Sequence, residues 1–283
     1  MTPKLSLCAL LAALTLAPLA PAQAGTQTLV YEVYAGGIHA LQATMNLETG
    51  KGRYDITLDA KTRGLLGRLA PWEGSFESHG WIEKDGAYKP ELHKSIGIWR
   101  GEKEVKEYKY TREGGFVSLS ETVNGAMVDK SKDIGKELTD GTTDALTAAL
   151  NVFEAVARGE ACSGTEEVFD GKRRFEQIFT DQGSADLEPT KYNIFKGAAT
   201  ECTVEVKPVA GAWSKKPRGW LSIQEQGRER GTMPTLWTAK LKDGEPAVPV
   251  KIRIATAYGV LFMHLAEFKD ESRTVSAEKR AQK

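Results

Sequence analysis

Histidine is scarce, and so is the chemistry it usually carries. The 283 residues hold four, His39, His79, His93 and His264. None falls in HxxxH, HExxH or a Cys/His ligand cluster. A G-x-S-x-G elbow, a phosphate-binding glycine loop and a dinucleotide fingerprint are all missing. Acidic residues are scattered, so no pair is assigned as acid and base. Neither a metal nor a cofactor is expected from these residues, and no catalytic residue is named. An enzyme is not excluded, because catalytic groups on a β-scaffold need not be near each other in sequence. His264 sits in an apolar stretch, where a hydrogen-bonded core histidine is expected rather than a ligand.

Net charge is also absent, with 38 lysines and arginines facing 38 aspartates and glutamates. A chain without a basic footprint is not a nucleic-acid binder. It also lacks a general electrostatic drive toward anionic lipid. Long apolar runs are missing except at the start. Lys4 precedes the run Leu5 to Leu16, which is too short to span a bilayer. Ala22-Gln23-Ala24 then offers a small-x-small cleavage site before Gly25. Residues 1–24 are therefore expected to be a cleaved signal peptide. The mature protein is expected to be exported, soluble and not membrane-spanning.

Cysteine numbers three, and Cys8 lies inside the leader. The survivors, Cys162 and Cys202, are most simply a disulfide in an oxidising compartment. Closing their loop stabilises by roughly 4 kcal/mol in the chain-entropy model. The rival is a redox-active or catalytic thiol, but there is no CxxC spacing and no nearby histidine.

What is present is mostly β pattern. Leu29, Tyr31 and Val33 alternate with Val30, Glu32 and Tyr34. Leu41, Ala43, Met45 and Leu47 follow the Gly36-Gly37 turn, and Tyr54, Ile56, Leu58 and Ala60 follow Gly50-Lys51-Gly52. This predicts a three-strand antiparallel meander with one wet and one apolar face. Hairpins continue through Phe76 to Ile82, Tyr88 to Trp99, Lys103 to Thr111 and Phe116 to Val123. The spacing of Leu146, Leu150, Phe153 and Ala157 predicts one long amphipathic helix, capped by Thr142 or Thr143 and stopped by Gly159. Asp170-Gly171 signals a two-residue hairpin. The basic loop AWSKKPRGW then precedes closing strands around Val250 to Ile254 and Val260 to Phe268, the latter suiting a strand between a sheet and the helix.

One stretch breaks the alternation. Leu65, Leu66, Leu69 and Trp72 crowd between Gly64, Gly67 and Pro71. They are either a connection folded over the core or an apolar lip at a cavity mouth on a mobile loop. Six tryptophans suit core and rim positions or carbohydrate stacking.

The opening VYEVYAGGIHALQATMNLE, the GLLGRLAPW segment, the PELHKS and IWRGE strands, and Cys162 to Phe175 with its CxxTxxVFDGKRRF spacing occur in this order. Together, over roughly Leu29 to Val206, they resemble a bacterial periplasmic family known only as domain of unknown function 3108. That resemblance implies an exported Gram-negative protein without an assigned activity. It also suggests likeness to envelope proteins with β-spiral or half-barrel folds, similar to the lipoprotein carriers.

The expected fold is mainly β: one highly curved antiparallel sheet, a β-spiral or open half-barrel, wrapped around one long amphipathic helix. The helix stripe with Leu41, Met45, Tyr54 and Ile56 would form the core. Residues 25–269 are expected to be a single domain and 270–283 a flexible polar tail. The expected function is a non-enzymatic periplasmic protein binding a lipid, an acyl chain or an envelope partner in the concave face, with Leu65, Leu66, Leu69 and Trp72 at the site. An envelope scaffold without a small-molecule ligand, or a hydrolase of envelope glycan or peptide, are the alternatives.

Overall fold

The computed structural model describes residues 25–123, 125–216, 219–256 and 259–278. The expected leader, 1–24, and the end of the tail, 279–283, lie outside them. Among the described residues, fifteen strands form one antiparallel sheet. The first half is a meander. It runs β1 (Gly25–Ala35), β2 (Ile38–Gly50), β3 (Arg53–Thr62), a short helix α1 (Gly64–Leu69), β4 (Trp72–Ile82), β5 (Tyr88–Trp99), β6 (Glu102–Tyr110), β7 (Phe116–Val123) and β8 (Ala126–Asp129). A 3-10 turn and α2 (Lys136–Thr139) lead to α3 (Ala145–Ala157). The second half runs β9 (Gly164–Phe169), β10 (Arg173–Leu187), β11 (Gly197–Gly211), α4 (Trp220–Arg230), β12 (Thr235–Ala239), β13 (Val248–Thr256), β14 (Gly259–Lys269) and β15 (Thr274–Ser276).

The halves join where β14 pairs with β1, so the order is β8-β7-β6-β5-β4-β3-β2-β1-β14-β13-β12-β11-β10-β9, with β15 on β14. This junction changes the reading of β1. Leu29, Val30, Tyr31 and Glu32 are all buried, so the middle of β1 has no wet face. The alternation was that of an outer strand, but β1 is central and is covered on both sides. β14 is also central. The segment between β10 and β11 also packs on it: Ile194 N–H donates to Leu265 O at 2.9 Å, and Tyr192 stacks on His264. The first part of the tail is likewise tied in, through β15.

α3 packs against β4 and β5 from one half of the sheet, and against β9, β10 and β12 from the other. Leu150 buries with Met45, Tyr54, Ile56 and Leu265, and Leu41 packs against this cluster. The helix cap is Asp144, just past the two threonines: its Oδ1 accepts from the N–H groups of Leu146 and Thr147 at 3.0 Å each. Gly159 takes a φ of 84° and ends the helix, where a side chain would be strained. Just beyond it, Cys162 bonds to Cys202 of β11, with Cα atoms 5.9 Å apart across a sequence separation of 40. Both cysteines are fully buried among Val152, Phe153, Phe179 and Leu236. The thiol alternative is thereby replaced by the bridge.

Three local features differ from the sequence pattern. β8 is a fully exposed edge strand beyond the last hairpin that the sequence pattern marks. The hairpin loop after β9 is Gly171-Lys172, closed by Asp170, whose N–H donates to Arg173 O at 3.1 Å. The closing strands are preceded by α4, an 11-residue helix with almost no apolar periodicity. α4 is held by Gln224, whose amide accepts from Val206 N–H at 2.9 Å and donates to Val206 O at 2.7 Å, imitating a strand neighbour. α3 is accordingly the longer of two substantial helices among the described residues, not a solitary one.

Candidate functional site

The leucine segment is helix α1, and it buries none of its residues. Leu65, Leu66 and Leu69 are 57%, 41% and 68% exposed, so they do not cover the core. Arg63 N–H donates to Ala40 O at 2.9 Å, which sets the helix against the start of β2. Gly64 takes a φ of 54°, and a Cβ there would stand 2.9 Å from His39 O, so only glycine fits this close entry. Trp72 is half-buried and pairs across the sheet with exposed Trp99. A shallow groove of about 280 Å³ runs there between Gly67, Trp72, Ile98 and Arg100.

The sheet face expected to receive a ligand packs there against α3. Met45, Tyr54 and Ile56 are buried with Leu150 of α3. An open apolar cavity lies elsewhere, at the β1–β2 and β13–β14 ends. Its volume is about 390 Å³, and Tyr34, Gly36, Gly37, Tyr192, Val260, Phe262 and His264 line it. Val260, Phe262 and His264 are alternate residues and so share one face of β14. Phe262 faces Tyr34 in the register of β1 and β14. Tyr192 is brought in by the β10–β11 connection, 4.8 Å from Tyr34 between ring centroids and nearly parallel to His264 at 5.9 Å. The next residue past Gly37, Ile38, is 60% exposed and begins the strand against which α1 is set. Cavity and leucines thus share one hairpin.

His264 is not the hydrogen-bonded core histidine expected. Its Nδ1 is buried without a partner among the described residues. Burial first, and then the charge of Lys251, pushes its pKa below the usual imidazole value. Beside it Glu32 is fully buried, accepting from Gln42 Nε2 at 2.8 Å and pairing with His39. The sequence pattern placed Tyr34 and Phe262 on separate strands and gave Tyr192 no role. The available signal was an aromatic side chain at a polar-phase position of β1.

A serine, a histidine and an aspartate also meet inside the protein. Ser78 Oγ donates to Asp144 Oδ1 at 2.7 Å and lies 2.7 Å from His93 Nδ1. Ser78 has one proton, so with Asp144 accepting it, Ser78 must accept from His93 N–H. A nucleophilic serine needs the opposite proton order, and its carboxylate on the other ring nitrogen. Ser78 is also fully buried. The trio supports the α3 cap, which Thr147 Oγ1 extends by donating to Asp144 Oδ2 at 2.6 Å and linking to Tyr54 Oη at 2.7 Å.

A second cluster lies on β3 and β4. Asp55, Glu77 and His79 place donor atoms within 4.8 Å of one another, a set able to hold a divalent cation. Asp55 and His79 are directly opposite in register. Partial burial, then the charge of Glu77, raises the Asp55 pKa. No sequence motif joins these three.

The model of the family DUF3108, protein of unknown function, matches residues 30–266. The chain belongs to the DUF3108 family. No curated protein matches this DUF3108 chain. A crystal structure described as a beta-barrel-like protein of domain of unknown function DUF1849 from Brucella abortus is similar at 10% identity, covering 89% of the DUF3108 chain and 100% of its own, with a TM-score of 0.48. Among the described residues, no helix is long and apolar enough to cross a membrane.

Proposed function

We propose that the protein is a non-enzymatic periplasmic binding protein of the cell envelope, taking an apolar ligand such as an acyl chain. Its sheet is read as an open half-barrel curled about α3, which occupies the concave side. The ligand is therefore assigned to the aromatic cavity beside the β1–β2 hairpin, with Leu65, Leu66 and Leu69 as its apolar approach. The observation that carries this reading is the cavity itself, with Tyr34, Tyr192 and Phe262 as walls and one unsatisfied polar atom, His264 Nδ1. Ligand sites of this kind are mostly apolar with few polar anchors.

The test combines Tyr192→Asp with Leu66→Asp/Leu69→Asp, measuring decanoate binding by calorimetry alongside thermal melting. Binding should fall at least tenfold in Tyr192→Asp. The α1 variant should weaken binding while its stability stays within about 0.5 kcal/mol of wild type, as for exposed sites. Unchanged binding in both would refute the site.

Docking of an envelope protein is a second reading, and β8 favours it. It ends the sheet with Met127 75% and Val128 48% exposed, leaving an edge open to strand addition.

A further inference from the structure

We propose that the ligand is an anionic amphiphile, its acidic head seated where β13 flanks the aromatic cavity. This rests on the cavity being an apolar-ligand site. Lys251 stands opposite His264, and Arg253 opposite Phe262, in the register of β13 and β14. Directly opposed residues share a face, so both cations lie beside residues that line the cavity. Lys191, in the β10–β11 connection, holds Nζ 5.1 Å from the Tyr192 ring centre. Lys251 Nζ lies 5.9 Å from the Phe262 ring and 4.6 Å from that of Trp237. None of the three cations forms an ion pair among the described residues.

The acids nearby are engaged otherwise. Glu32, on the other side of His264, is held by Gln42 and His39. Glu201, two strands from Lys251, accepts from Trp237 Nε1 at 3.0 Å. The charge offered to the cavity is therefore positive, while its walls are aromatic. A carboxylate or phosphate ester with an apolar body satisfies both. Its oxygens would take charge-assisted hydrogen bonds from Lys251, Arg253 and Lys191, and one would meet His264 Nδ1. Cation–π contacts hold the ammonium groups over the rings without consuming their hydrogen-bond donors.

The experiment compares three ten-carbon probes by calorimetry on the full mature chain: decanoate, decyl phosphate and decanol. Both anions should bind about tenfold or more tightly than the alcohol, the worth of one charge-assisted hydrogen bond. Lys251→Met/Arg253→Met should remove that preference and leave decanol binding unchanged. Lys251→Arg/Arg253→Lys should restore it, which separates lost charge from a damaged fold. The ratio of decanoate to decyl phosphate distinguishes a free acid from a phosphate ester as the source. Equal binding of acid and alcohol, or a preference that survives the double Met variant, would overturn the head-group assignment while leaving the apolar site standing. Failure of all three probes to bind would overturn the apolar site and this proposal together.

Discussion

Asp144 shows how much one side chain carries. It is 1% exposed and accepts four hydrogen bonds, from two α3 backbone N–H groups, Ser78 and Thr147. Asp144→Ala orphans these donors in the interior. It should cost about 2–4 kcal/mol in urea unfolding, where a solvent-exposed cap costs about 1. A loss under 1 kcal/mol would mean that water replaces the carboxylate. Glu245 contributes to the pH dependence. Burial is the leading cause raising its pKa, against a 2.5 Å hydrogen bond from Thr49. A carboxyl raised on folding binds protons more readily when folded. Its stabilisation is present below the unfolded value, about 4.3, and is lost as pH rises through the folded one. Glu245→Gln should therefore gain on wild type as pH climbs from 4 toward 7, in denaturant melts at a series of pH values. Parallel pH profiles would contradict this. The lowered pKa of His264 acts in the opposite sense, costing stability as pH falls below the ordinary imidazole value. At this scale only the Cys162–Cys202 pair was legible from composition. The cap was expected at Thr142 or Thr143; it falls at Asp144, whose carboxylate Ser78 also holds from 66 residues away.

At the scale of elements, strands with two-residue alternation and glycine turns were legible because both signals are local. α4 was not, because its Gln224 recognises Val206 through tertiary hydrogen bonds and needs no apolar stripe. β8 was missed because four exposed residues carry no pattern. Bulges escaped for the same reason, and one gives a sharp prediction. β4 shifts register against β5 between His79 and Gly80, where a Cβ on Gly80 would stand 2.0 Å from Lys89 O. Gly80→Ala should destabilise by about 1–3 kcal/mol, as overpacking against backbone does. Near-neutral melting would show that the bulge can relax.

For the whole molecule, the pairing of β1 with β14 is decisive. It turns two meanders into one sheet and makes the first and last long strands central. Periodicity within a strand says nothing about which strands meet, so the burial of both faces of β1 was not legible. The same pairing builds the candidate site: β1 supplies Tyr34, β14 supplies Phe262 and His264, and the β10–β11 connection adds Tyr192. The exposed leucines of α1 were visible in sequence as a break in alternation, whereas the cavity exists only once distant strands are side by side.

Native mass spectrometry of the protein, purified from the cells that make it and then extracted with solvent, tests this cavity most directly. The account predicts a stoichiometric adduct that extraction removes, identified as an acidic amphiphile, on a chain two hydrogens lighter than its reduced form. A bare mass before extraction, with no uptake of decanoate afterwards, would contradict it and leave the aromatic cluster as packing beside a protein-docking edge.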